Sequence, residues 1–237
     1  MADQPNGRDH RDQRYLGVVP QAPGDGDSTR GRYRSLFAAF RSRRSVRADR
    51  IPGHYAIGCF GRVRAQKGTD VFVDAMCQLL PRYPEFTAVV VGAITPEQTA
   101  FANGLKKRIE ATGLQSRIII TGELPIEEVQ RWYQRLTIYA FTSRNEGFGL
   151  TLIEAMSAGA ALVASRAGAA ELVVEHGVTG VVTPPGDVAA LVAALEPLMR
   201  DPASASEMGG RGRARVLQKF SLDVEANGIA GVYRRLV

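Results

Sequence analysis

The chain of 237 residues is 45% hydrophobic and 23% charged, the balance of an ordinary globular protein with enough apolar material for a sizeable core. It has no run of about 18 apolar residues and no basic-then-apolar leader, so neither a membrane span nor a signal peptide is expected and the compartment reads as cytoplasmic. The net charge of +6 is unevenly placed: residues 1–50 hold eleven Arg against six Asp, net +5, which leaves nineteen basic against eighteen acidic residues, net +1, for 51–237.

Residues 1–50 contain no Lys and no Glu, carry Pro, Gly and Ser throughout, and show no sustained period of strand or helix, so they read as a disordered, Arg-rich segment. Three chemistries fit its stretch 30–50: phosphate neutralisation on nucleic acid, an anionic lipid surface met by Leu36, Phe37 and Phe40 among the cations, or a plain solvated tail. The solvated tail is the simplest, no nucleic-acid partner is expected, and a lipid contact would put the chain at the inner face of the membrane. The same composition is also what a GC-rich gene yields when translated from a wrong start.

From residue 51 onward short apolar runs alternate with amphipathic segments, as in repeated βα units. Six strands are predicted: Tyr55–Phe60, 87–91, 118–121, Ile138–Phe141, 162–165 and Val181–Thr183. After the first comes a helix from Thr69 with Val71, Phe72, Ala75, Met76, Leu79 and Leu80 on one face. Thr95-Pro-Glu-Gln98 reads as an N-cap and capping box for the next, and helices at 125–136, 150–158, 203–220 and Leu222–Leu236 follow. The strands are continuously apolar, so helices should cover both sheet faces: a doubly wound, mostly parallel six-stranded α/β sheet with extra C-terminal helices. Cys59 and Cys77 fall in a strand and a helix without metal-ligand spacing and read as buried, reduced thiols.

Ligands of such sheets bind beyond the carboxyl ends of the strands, which directs attention to the loops after Phe60 and Phe141. The first, Gly61-Arg62-Val63-Arg64-Ala65-Gln66-Lys67-Gly68, has neither the dinucleotide-binding glycine pattern nor a P-loop lysine; it offers two cations suited to phosphate oxygens. An ordinary basic surface loop is the competing reading. The second, Glu146-Gly147-Phe148-Gly149-Leu150 with Glu154 in the following helix, brings backbone close to a ligand and aims free N–H groups at it. A retaining glycosidase would need its carboxylates about 5 Å apart. Eight helical residues span about 12 Å, which better suits one carboxylate at each end of a long ligand.

The G-R-x4-K-G loop, the E-G-F-G-L turn and the second Glu eight residues after the first together resemble the carboxyl-terminal domain of family 4 retaining glycosyltransferases, one Rossmann-like half of the GT-B fold. The resemblance covers about 55–237, and the wording of 58–70 and 143–150 is similar to bacterial lipopolysaccharide core mannosyltransferases. It implies a hexosyltransferase that takes a nucleotide sugar, GDP-mannose, and passes mannose with retention to a cell-envelope glycan or glycolipid. Carried over by motif, Gly61, Arg62 and Lys67 would hold the diphosphate and Glu146 the hydroxyls of the sugar. The backbone of Gly147, Phe148, Gly149 and Leu150 would close on sugar and phosphates, Glu154 would hold the ribose, and Glu123 and Leu124 would border the base. Arg62, Lys67 and Glu146 would thereby act on the reacting groups. Attack on the front face, with the leaving phosphate taking the acceptor proton, needs no protein nucleophile, metal or cofactor; 51–237 contains no D-x-D motif.

The chain departs from the family pattern at Gly159-Ala160-Ala161 and Gly168-Ala169, although Glu171 is in place. The amino-terminal acceptor domain of the family is not expected within 1–50, which are too few and too polar to build it. Two readings follow: the donor domain of a mannosyltransferase, truncated or read from a wrong start, or a nucleotide-sugar-binding domain that transfers nothing, as a pseudoenzyme or a subunit that needs a partner. The stripe Ile229, Val232, Tyr233 and Leu236 on the last helix is expected to meet that missing half or a partner. His10, His54 and His176 are dispersed and carry no assigned role.

Overall fold

The computed structural model describes residues 51–220 and 222–236; the disordered segment expected over 1–50 lies outside them. Six strands, β1 (Tyr55–Phe60), β2 (Phe86–Val91), β3 (Ile118–Ile120), β4 (Ile138–Phe141), β5 (Ala161–Ser165) and β6 (Val181–Thr183), form one parallel sheet in the order β3-β2-β1-β4-β5-β6. Helices connect them: α1 (Thr69–Leu79), α2 (Thr99–Ala111), α3 (Ile126–Arg135), α4 (Leu150–Ser157), α5 (Ala170–Val173), α6 (Val188–Arg200), α7 (Pro202–Lys219) and α8 (Leu222–Leu236).

The apolar strand runs resolve into two interleaved sets, because successive side chains of a strand point to opposite faces. Ile57, Cys59, Ala88, Val90, Ile138, Ala140, Ala161 and Val163 join one core with α1, α2 and α6. Ala56, Phe60, Val89, Val91, Tyr139, Phe141, Leu162 and Ala164 join the other with Tyr133 of α3, α4 and Val216 of α7. Both faces are dry, which is the physical reason these strands show no polar alternation.

Two local expectations change. Thr95 makes no side-chain cap; residues Pro96–Gln98 form a single 3-10 turn that passes directly into α2 at Thr99, so no capping box forms. Cys59 is buried, but Cys77 is only partly so. The 61–68 loop also contains a 3-10 turn, Ala65–Lys67, that the sequence did not signal. At the far end, Ile229, Val232 and Tyr233 of α8 are exposed by 52%, 48% and 67%, while the side chain of Leu236 lies outside the described set.

The sheet order reverses between β1 and β4, and there the loops after both strands emerge side by side. This is the switch point at which open α/β sheets bind ligands.

Candidate functional site

The first loop is fixed at both ends by its neighbour strand. Gly61 N–H donates to Val91 O at 2.9 Å and Val63 N–H to Ala93 O at 3.0 Å, while Val63 itself is fully buried. Arg62, between these two anchors, is exposed, and no described residue pairs with its guanidinium. Arg64 of the same loop keeps its Nε buried without a hydrogen-bond partner.

The chain then turns back through Ala65–Lys67 to Gly68, which takes φ +66° and lies so close to β4's exit that a Cβ there would stand 1.9 Å from Thr142 O. Only glycine satisfies both demands. The turn is held from across the switch point: Thr142 Oγ1 donates to Lys67 O at 3.0 Å, and Arg144 N–H donates to Gln66 O at 2.8 Å. The Arg144 guanidinium donates to Ala65 O and forks onto Asp70, with both N–O distances 2.8 Å. Burial opposes ionisation of Asp70, but the Arg144 fork, its charge, and the backbone N–H groups of Asp70 and Val71 outweigh it and hold the carboxyl below its ordinary range.

This arrangement brings Lys67 and Glu146 together, 79 residues apart in sequence: Lys67 Nζ donates to Glu146 Oε2, which also accepts from Ser143 Oγ at 3.2 Å. Their side chains are 20% and 18% exposed, so the pair sits in the wall of the switch point rather than in open solvent. Gly147 is exposed and Phe148 half-buried. Gly149, at φ +89°, passes under the Phe141 ring and opens α4 with no side-chain cap. The first N–H groups of α4 are therefore not taken by any capping side chain, the condition under which a helix start accepts an anion. Gly168 packs on this loop, where its own Cβ would lie 2.9 Å from Gly147 O, and Ala169 N–H donates to Phe148 O at 3.1 Å. Glu171 instead faces solvent, paired with Arg166 at 2.8 Å.

Glu154 is placed apart from Glu146. It is 8% exposed, and its Oε2 accepts from Tyr133 O–H at 2.8 Å. Tyr133 packs at a tilt against Phe60, the last residue of β1, at 4.5 Å between ring centres, so the carboxylate is held beside the same strand end. Burial, and then the Glu154 charge, hold the Tyr133 hydroxyl protonated well above its usual range. The two glutamates thus have different partners and different surroundings. Glu123 is exposed and Leu124 half-buried on the loop after β3, which is tied to the rest by the Gly92 N–H to Gly122 O bond at 3.0 Å; among the described residues no hydrogen bond or ion pair links either to Lys67 or Glu146. Tyr133, Thr142, Arg144 and Asp70 were not singled out by sequence reasoning. Asp70 and Arg144 both lie within the motif stretches, but nothing local marks them as partners.

A parallel sheet thus carries, at its switch point, a cationic turn, a glycine-rich helix start free of a side-chain cap, and two carboxylates with different partners, groups whose chemistry suits anions and hydroxyls. The family model described as glycosyl transferases group 1 matches residues 46–215, and the chain belongs to that family. It is 49% identical over 193 residues to the lipopolysaccharide core biosynthesis mannosyltransferase LpcC of Rhizobium leguminosarum bv. viciae, covering 81% of this chain and 54% of that protein. Against the lipopolysaccharide core biosynthesis mannosyltransferase LpsB of Rhizobium meliloti, it is 38% identical over 208 residues, covering 87% and 58%. The chain thus spans a little over half the length of these curated relatives. Among solved structures, the C-terminal domain of the group 1 protein LpcC from Francisella tularensis superposes with a TM-score of 0.70 at 34% identity, over 73% of this chain and 89% of that one. Anabaena HepE in complex with UDP superposes with a TM-score of 0.71 at 27% identity, over 77% and 49%. The sheet and its helices are the Rossmann-like half of a GT-B fold.

Proposed function

We propose that this chain is the donor-binding half of a retaining glycosyltransferase that takes mannose from GDP-mannose and acts on a lipopolysaccharide core or similar cell-envelope glycan. The observation that carries the reading is the meeting of Lys67 and Glu146 at the switch point, beside the uncapped start of α4. A cation that sits against a carboxylate can pass to a diphosphate, leaving the carboxylate to accept from sugar hydroxyls. The similarity to two proteins named as lipopolysaccharide core mannosyltransferases supports the sugar and the acceptor class.

In this reading Arg62 and Lys67 hold the diphosphate with Gly61 at their back, and the backbone from Gly147 to Leu150 closes on phosphate and sugar. Glu146 orients the sugar, Glu154 accepts from the ribose hydroxyls, and Glu123 and Leu124 flank the base. The anomeric C–O bond to the diphosphate breaks as the acceptor oxygen forms its own bond on the same face. The bonding electrons leave with the diphosphate, and a phosphate oxygen takes the acceptor proton. The protein's part is to hold and neutralise charge, so no cofactor is required. No helix among the described residues is long and apolar enough to cross a membrane. Work at the cytoplasmic face, with a glycolipid acceptor, belongs to the same proposal.

The test separates binding from transfer. GDP-mannose should raise the Tm of the chain, and release of GDP in the presence of a truncated core acceptor should follow. A thermal shift without GDP release at high protein concentration favours the second reading, a nucleotide-sugar-binding domain that transfers nothing unaided. Absence of a shift with any nucleotide sugar overturns both.

A further inference from the structure

We propose that Arg144 and Asp70 are positioning residues for the donor site, locking the turn that carries Lys67 to the loop that carries Glu146 so that both meet a nucleoside-diphosphate sugar at a fixed separation. The inference rests on the donor-site reading above, and deepens it by adding two residues that act through others.

Three successive carbonyls of the turn are held from the opposite loop. Ala65 O accepts from the Arg144 guanidinium, Gln66 O from the Arg144 backbone N–H at 2.8 Å, and Lys67 O from Thr142 Oγ1 at 3.0 Å. Asp70, in the first turn of α1 immediately beyond Gly68, takes the remaining fork of Arg144 through both carboxylate oxygens at 2.8 Å. Arg144 therefore fixes the turn on either side of Lys67, and it stands two residues from Glu146 on a loop further secured by the Ser165 Oγ to Ser143 O bond at 2.5 Å. The Arg144 and Asp70 side chains are 38% and 21% exposed, a setting in which an ion pair contributes little to folding stability. What a planar fork onto a carboxylate supplies there is direction. Lysine in place of Arg144 keeps the charge but cannot hold Asp70 through two parallel bonds and reach Ala65 O as well. Small displacements of groups that hold a reacting diphosphate are costly, so geometry is where the pair should be felt.

The experiment is calorimetric titration of guanosine and uridine mono- and diphosphates into the full chain, wild type against Arg144→Gln, Asp70→Asn, Arg144→Lys and the Asp70→Asn/Arg144→Gln double variant, with Tm recorded for each. The diphosphate that binds the wild type should lose about tenfold in affinity in every variant. The monophosphate of the same base, which does not need Lys67, should change by less than about twofold, and the double variant should be no worse than either single one. Asp70→Asn keeps the size of the side chain, and its Tm separates lost folding from lost binding. Wild-type diphosphate affinity in Arg144→Gln or Asp70→Asn overturns the proposal, and so does equal loss of mono- and diphosphate, which marks a general structural role. If the wild type binds neither diphosphate, the donor-site reading fails and the inference falls with it, a result read from the wild type alone.

Discussion

Replacing Tyr133 by Phe removes one hydrogen-bond donor from beneath Glu154 and leaves the rest of the packing in place. The Tyr133 ring, 2% exposed, keeps its contact with Phe60, and the lost group is the hydroxyl that donates to Glu154 Oε2 at 2.8 Å. A hydrogen bond to a charged group contributes about 1.5–3 kcal/mol. Because Glu154 is 8% exposed, water can replace the donor only in part, so a loss of roughly 2 kcal/mol is expected. In a domain of this size that corresponds to a fall in Tm of about 4–8 °C. Urea denaturation at pH 7 followed by circular dichroism measures the loss directly, and nucleotide titration on the same samples should show weakened binding as Glu154 loses its fixed orientation. A loss below about 0.5 kcal/mol, within the range of a neutral surface change, would refute the claim that this hydroxyl holds the carboxylate.

Glu146→Gln removes the carboxylate that occupies Lys67, so nucleoside diphosphate should bind several-fold more tightly while the matching nucleotide sugar loses affinity; titration of both ligands distinguishes this from a general effect. Asp70 has its carboxyl below the ordinary range, so its stabilising contribution is fully present above about pH 4 and fades as pH falls through the lower folded value. Wild type and Asp70→Asn should therefore differ by no more than about 1 kcal/mol at pH 6 and converge in acid, as read by denaturation at a series of pH values. Burial pushes the Cys59 thiol up to about 11 and also raises the Cys77 thiol, but Cys77 is only partly buried, so iodoacetamide at pH 8 should label Cys77 first and Cys59 only after unfolding, as resolved by peptide mass spectrometry.

Much of the fold is legible in the sequence because dry strands leave an unmistakable trace. The runs at Tyr55–Phe60 and Ile138–Phe141 stand where expected, and strands expected at 87–91 and 162–165 gain one residue each. The failures are local competitions that composition does not decide. Thr95-Pro-Glu-Gln98 contains every residue of a capping box, yet the chain spends those residues on a 3-10 turn before α2 begins. In the site, the motifs locate Lys67 and Glu146 but not their support. The Arg144–Asp70 and Tyr133–Glu154 contacts span 74 and 21 residues, and each requires the sheet order to be known before the partners can be matched. Residues that touch a ligand carry their chemistry in their type, whereas residues that position them carry it in the topology.

In the proposed function, the switch point between β1 and β4 holds a nucleotide sugar through Arg62, Lys67, Glu146 and Glu154. Titration of GDP-mannose into the wild type and into Arg62→Ala and Glu154→Ala tests it most directly. Saturable binding by the wild type that is lost in both variants, with each still folded, is the expected result; binding that persists unchanged in either variant would contradict the assignment.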